Sequence, residues 1–181
     1  MKHLSEVIKV GIYQLEDNKP VIDPTTYVFP SATLIGNVIV GKNCFIGPGA
    51  VLRGDKNKIT IGNKTFIQDL VVIHTEEEFP TTIGNQVQIG AGSILHCEYI
   101  EDNVSIGLSV VLGMGSKIKA RTVVTDGSLV PQWKEVSERS IVAGIPAKPI
   151  EEFHELWIDP EQIISQLHLR DNYRRHLERI H

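Results

Sequence analysis

The sequence has little of what most readily betrays a role. Among its 181 residues are only two cysteines and few aromatic side chains. Cys44 and Cys97 make neither a CxxC pair nor a disulfide framework, which points to a reducing compartment and a cytoplasmic protein. No apolar run approaches the roughly 20 residues that span a bilayer, and the opening MKHLSEVIKV lacks a signal peptide's apolar segment and cleavage site. No membrane role is expected. The 18 Lys and Arg are outweighed by 22 Asp and Glu, a formal charge of -4, so nucleic acid is not an expected partner either. A chain of this length makes one ordinary domain with its own core, and an enzyme or binding protein for a small molecule remains.

What the chain does have is β-branched aliphatics: 23 Ile and 18 Val against 13 Leu. Such residues pack well on pleated strands and lose side-chain freedom in helices, so a sheet protein is favoured. Their order is more informative than their number. From Ile22 an aliphatic residue returns at Val28, Leu34, Val40, Ile46 and Leu52, then Ile61, Ile67 and Ile73, then Ile83, Ile89 and Leu95, then Ile100, Ile106, Leu112, Ile118, Val124 and Val130. Fourteen of the seventeen gaps are six residues and the others are nine, ten and five, which sets the period at six. Four residues after most of these aliphatics stands a small or aliphatic residue, as at Ala32, Cys44, Ala50, Thr65, Ser93, Ser116, Thr122 and Ser128. Glycine follows the aliphatic in IGNKTF, IGNQVQ, IGAGSI and LGMGSK, where the chain turns and a side chain would crowd the next rung.

A six-residue unit of one short strand and one turn cannot bury its apolar side alone. Such units must coil and stack, with neighbours about 4.8 Å apart. A sandwich of short strands would place its turns every 8–12 residues instead. The hexapeptide pattern over roughly Ile22 to Ala147 resembles the left-handed parallel β-helix family, in which three hexapeptides make each triangular coil. Its left hand is implied by the resemblance, since the general rule for parallel crossovers gives a right-handed connection.

The expected organisation is an N-terminal lead-in over 1–19, an all-β left-handed parallel β-helix of triangular coils over 20–150, and a helical tail over 151–181. The tail follows from Asp159-Pro160-Glu161, an N-cap with proline at the first helical position, and from a helical stripe through Ile163, Ile164, Leu167, Tyr173, Leu177 and Ile180. Such a C-terminal α-helix would cap apolar β-helix surface.

Three hexapeptides per coil assign Leu34, Leu52, Ile73, Leu95, Leu112 and Val130 to one side of the triangle. The residues that follow them point outward, so Arg53, His74 and His96 are expected to form a column, one per coil. Of the seven histidines only His74 and His96 lie within the repeat. Two imidazoles on adjacent rungs start about 4.8 Å apart, and a modest tilt brings both onto one metal at roughly 2.0–2.1 Å.

LRGDKNKITIG (52–62), FIQDLVVIH (66–74), TTIGNQVQIGAGSILHC (81–97) and GIPAKPI (144–150) resemble the γ-class carbonic anhydrase branch of the hexapeptide family. PVIDPTTYVFPSATLIGNVIVG (20–41) and the tail residues Trp157, Tyr173 and Arg174 are most similar to its carnitine- and phenylacetate-pathway members. The resemblance implies a homotrimer with metal sites between subunits, each held by two histidines of one chain and a third from its neighbour. His74 and His96 match the same-chain pair. The third ligand falls in a stretch the family writes Ile-Gly-His-Gly, and here it reads Ile89-Gly90-Ala91-Gly92.

Ala91 cannot bind a metal. A catalytic zinc normally has three protein ligands and an open water position, so two imidazoles predict zinc or another divalent metal held weakly and exchangeably, or none, unless a carboxylate completes the shell. By the same resemblance Gln68 hydrogen-bonds near the metal-bound water, Arg53, Asp55 and Asp69 order the site across the subunit interface, and Glu77 occupies the position of a proton-shuttling glutamate. The implied chemistry is attack by a metal-bound hydroxide on CO2 or on an acyl-CoA thioester, with carbonic anhydrase activity in doubt because of Ala91. Two alternatives stand beside it. One is a hexapeptide acyltransferase using acyl-CoA, with a histidine as general base. The other is a non-catalytic trimer with a degraded metal site.

Overall fold

The computed structural model describes residues 11–150. The tail expected to be helical lies outside the described residues. Within them the chain forms an all-β, three-sided parallel β-helix whose strands are mostly two or three residues long. One face stacks the start of Thr33–Val40, the start of Val51–Ile61, Val72–His74, Ile94–Leu95, Val111–Leu112 and Leu129–Val130. The register aligns Leu34, Leu52, Ile73, Leu95, Leu112 and Val130 in one row. The second face runs from Val21–Ile22 through Thr81–Ile83, Tyr99–Ile100 and Lys117–Ile118 to Glu135–Val136. The third runs from Tyr27–Val28 to Ile141–Ala143 and is closed by the antiparallel strand Lys148–Pro149.

Side chains alternate across each strand, so the row aliphatics point into the prism and their neighbours point out. The inward row residues from Leu34 to Val130 are all but inaccessible to solvent. The row continues past Val130 in the same phase, because Val136 and Val142 are also buried. At the N-terminal end, Gly11–Tyr13 of the lead-in pairs with Thr33–Ile35 and extends the first face.

The corners explain the second periodic position. Space there suits a side chain no larger than valine, and a buried hydroxyl needs a partner. Thr65 donates to Gly84 O at 2.8 Å, Ser93 to Gly107 O at 3.0 Å and Thr122 to Ser137 O at 2.9 Å. Each bond ties one coil to the next. The repeated glycine after the aliphatic is explained by crowding rather than by φ. A Cβ on Gly62 would lie 2.6 Å from the backbone of Gly84 one coil on, so no larger residue fits without prising the coils apart.

The three irregular gaps all fall at one corner, between the first and second faces, on successive coils. Residues 53–60 bridge that corner inside the long strand Val51–Ile61, which therefore pairs with both Val72–His74 and Thr81–Ile83. The excursion Thr75–Pro80 lies against it one coil further on.

Candidate functional site

That irregular corner carries the histidines. Arg53 pairs with His74 in register, and His96 follows Leu95, the partner of Ile73. The His74 and His96 rings are 3.7 Å apart between centroids, tilted by 58°. Stacking of adjacent coils thus places two imidazoles side by side, with their backbones fixed by hydrogen bonds such as His96 N to Leu112 O at 3.0 Å.

A third group joins them. One ligand atom from each of His74, Glu76 and His96 lies within 4.8 Å of the others. Glu76 Oε1 is 3.9 Å from His74 Nδ1, and its other oxygen, Oε2, accepts a 2.9 Å hydrogen bond from Lys56 Nζ. Both His74 and Glu76 side chains are only about one-sixth exposed, at 17% and 16%. His74 Nδ1 is buried and has no hydrogen-bond partner, which is uncommon for a buried polar atom and calls for an explanation. The Lys56 ammonium holds the Glu76 carboxyl below the usual carboxylate range. Burial, helped by the nearby His74, lowers His96 below the ordinary imidazole value. A neutral imidazole is the form that binds a metal or accepts a proton.

The sequence alone does not show why Glu76, of the three glutamates in TEEEF, faces inward. The reason is how the two insertions stack. Thr75 Oγ1 accepts from Asn57 N at 2.9 Å and donates to Asn57 O at 3.1 Å, and Asn57 Nδ2 donates to Glu77 O at 3.1 Å. Phe79 is buried and meets Trp133 edge-on at 5.6 Å. The loop is therefore anchored at both ends. Glu77 and Glu78 are exposed, so the carboxylate beside the histidines is Glu76 rather than Glu77.

The other residues singled out in the sequence fall in two places. Arg53 lies next to His74 in the column and pairs with Asp55 at 3.4 Å, both partly exposed. Gln68, Asp69 and Ala91 lie at the opposite edge of the first face, the corner it shares with the third. There Ala91 N donates to Gln68 Oε1 at 3.2 Å, and Gly92 N donates to Asp69 O at 2.9 Å. At about 3.3 Å per residue, the five residues from Ala91 to His96 span up to about 16 Å. A side chain at position 91 or 68 therefore belongs to a different edge of the prism from the histidines of its own chain. Exposed Leu70 and Leu108 flank the same edge, at 67% and 49%.

Comparison with known proteins identifies the family. The family model described as bacterial transferase hexapeptide (six repeats) matches residues 19–54. The carnitine operon protein CaiE of Escherichia coli is 36% identical over 78% of this chain and 72% of its own length. The chain belongs to the γ-carbonic-anhydrase-like hexapeptide-repeat family. The mitochondrial γ carbonic anhydrase 2 of Arabidopsis thaliana is 36% identical over 73% of this chain, and the match spans 50% of that protein's length. The crystal structure of a hexapeptide transferase family protein from Anaplasma phagocytophilum is 31% identical, covers 91% of this chain and 94% of its own, and superposes with a TM-score of 0.53. Proteins similar to this chain thus carry both carbonic anhydrase and transferase names. Among the described residues no helix is long and apolar enough to cross a membrane.

Proposed function

We propose that this protein is a γ-carbonic-anhydrase-like enzyme that hydrates or hydrolyses a carbonyl-type substrate, CO2 or an acyl-CoA thioester, at a divalent metal held by His74 and His96. The observation that carries the reading is the imidazole pair, with ring centroids 3.7 Å apart, together with the orphaned Nδ1 of His74. These residues fit a metal because two imidazoles are clustered with a carboxylate, each offering a ligand atom within 4.8 Å of the others. A divalent ion bound there supplies Lewis acidity and brings the pKa of a bound water towards neutrality.

The chain's own residues set the conditions. Burial keeps His96 neutral and available as a donor. Arg53, beside His74, offers a planar guanidinium suited to orienting a carboxylate or a bicarbonate-like anion. Gln68 sits with Ala91 on the far edge of its own chain, so it contributes to a site only across a subunit boundary. A homotrimer that brings this edge of one chain against the histidine corner of its neighbour satisfies that requirement, and it covers exposed Leu70 and Leu108. Asp69 and Asp55 are the charged groups available to pair across that boundary. Glu77, exposed beside the inward Glu76, is positioned to pass protons to solvent. We place the protein in the cytoplasm because both cysteines are free and buried.

The test is CO2 hydration and acyl-CoA hydrolysis by the full chain loaded with zinc or cobalt, beside His96→Ala. Metal-dependent turnover that disappears in His96→Ala supports the reading. Turnover unchanged in that variant overturns it.

A second reading is acyl transfer from acyl-CoA, favoured by the likeness to the Anaplasma transferase family protein and by the neutral His96, which would act as general base on an acceptor hydroxyl or amine. Retention on CoA-agarose, and acyl transfer unaffected by chelator, would favour it. Inactivity in every assay is the signature of the third reading, a trimer without catalysis.

A further inference from the structure

We propose that Glu76 is a metal ligand, so that His74, Glu76 and His96 of a single chain make a two-histidine, one-carboxylate site. The inference rests on the proposed metal at the histidine pair and adds its third donor. Three observations lead to it. The three side chains each present a ligand atom within 4.8 Å of the others. His74 Nδ1 is buried without a hydrogen-bond partner, yet Glu76 Oε1 stands 3.9 Å away, too far for a hydrogen bond and wide enough for an ion between them, since two bonds of roughly 2.0–2.2 Å about one centre separate their donors by more than 3 Å. The two oxygens of Glu76 are used separately. Oε2 is held by Lys56 at 2.9 Å, which leaves Oε1 turned to the histidines.

The loop is built to keep Glu76 there. The reciprocal Thr75–Asn57 bonds fix its start and the Phe79–Trp133 contact fixes its end. A ligand so anchored loses little freedom on binding, and Lys56 acts as the outer partner that orients it. The donor set is one that zinc, iron(II) and cobalt(II) all accept. The consequence concerns Ala91. A histidine at that position would meet a metal from a neighbouring chain, because Ala91 sits with Gln68 at the opposite edge of the first face from His96. Glu76 supplies the third donor from within the chain, so position 91 is free to be alanine, and metal loading does not depend on a neighbour's ligand.

The test is Co(II) and Zn(II) binding to the full chain, read by the visible d–d absorption of cobalt and by competition with a chromophoric chelator. The proteins are wild type, Glu76→Gln, Glu76→Asp and His96→Ala, with far-UV circular dichroism confirming that each is folded. Loss of an outer-shell partner costs roughly 10–100-fold in affinity. Glu76→Gln is therefore expected to weaken binding by more than about 100-fold and to change the cobalt spectrum, while Glu76→Asp, which retains a carboxylate on a shorter arm, binds with intermediate affinity. Wild-type affinity and spectrum in Glu76→Gln, with binding lost in His96→Ala, would overturn Glu76 as ligand and leave the histidine pair standing. Absence of binding in wild type would overturn both.

Discussion

Replacing Ile73 by alanine tests the geometry on which the site depends. Ile73 is fully buried, stacked between Leu52 and Leu95, and immediately precedes His74. The substitution removes three carbons, about 2.4 kcal/mol at roughly 0.8 kcal/mol per buried methylene. The rungs on either side cannot close the hole, because their spacing is set by backbone bonds such as Val51 N to Val71 O at 2.8 Å and Val72 N to Ser93 O at 2.9 Å. A residual cavity of about 50 Å³ adds about 1.2 kcal/mol at roughly 24 cal/mol per Å³. The expected total is near 3.6 kcal/mol, which at about 2–4 °C per kcal/mol for a chain of this size lowers Tm by roughly 7–14 °C. Val72 points outward and is partly exposed, so Val72→Ala is expected to cost less than about 1 kcal/mol. Thermal and urea unfolding of both variants measures the contrast. A larger loss for Val72→Ala would mean that the strand is one residue out of register, since such a slip exchanges every inward and outward side chain. His74 would then point into the prism, and the reasoning that builds a metal site from it would fail.

Four further outcomes are expected. Since the folded pKa of His96 is depressed below the ordinary value of 6.5, the unfolded chain binds the proton first as pH falls. Stability of metal-free protein should therefore drop progressively below about pH 6.5, and His96→Gln should lose less of its Tm between pH 7.5 and 5; equal losses would contradict a buried neutral His96. Burial pushes the Cys97 thiol to about 12 and raises Cys44 as well, so a chromogenic disulfide reagent should find no fast thiol in the native protein and two after denaturation. Gly62→Ala should destabilise by about 1–3 kcal/mol through overpacking against Gly84, although alanine is ordinarily neutral or better outside positive φ; an unchanged urea midpoint would show that the coils are looser than described. Leu70→Asp, on the exposed edge that carries Ala91, should convert the proposed trimer to monomer in light scattering, whereas a trimer that survives would remove that edge from the interface.

Much of the fold was legible because the period of six is a direct image of the coil. Each aliphatic in phase is a rung, and assigning every third rung to one face, as the family resemblance implies, places Arg53, His74 and His96 in a column. Val136 and Val142 continue the phase beyond Val130, although the accompanying small residue fails at Lys134. The candidate site was half legible. A period predicts which residues stack, so it finds His74 and His96. It says nothing about an insertion, where the conformation is set by hydrogen bonds outside the repeat, and so TEEEF gives no reason to prefer Glu76 to Glu77. A signal was nevertheless present: the gaps of nine, ten and five fall on consecutive coils at the same corner. Interruptions that coincide in space mark where the chain departs from simple stacking, and here they surround the two histidines of the repeat.

The central claim is that a divalent metal sits at the His74–His96 pair. It is tested most directly by a crystal structure of the full chain grown with zinc and measured at the zinc absorption edge. One strong anomalous peak per chain is expected at this corner, about 2.0–2.1 Å from a ring nitrogen of His74 and of His96. No peak there under saturating zinc, or the strong peak at other residues, would contradict it.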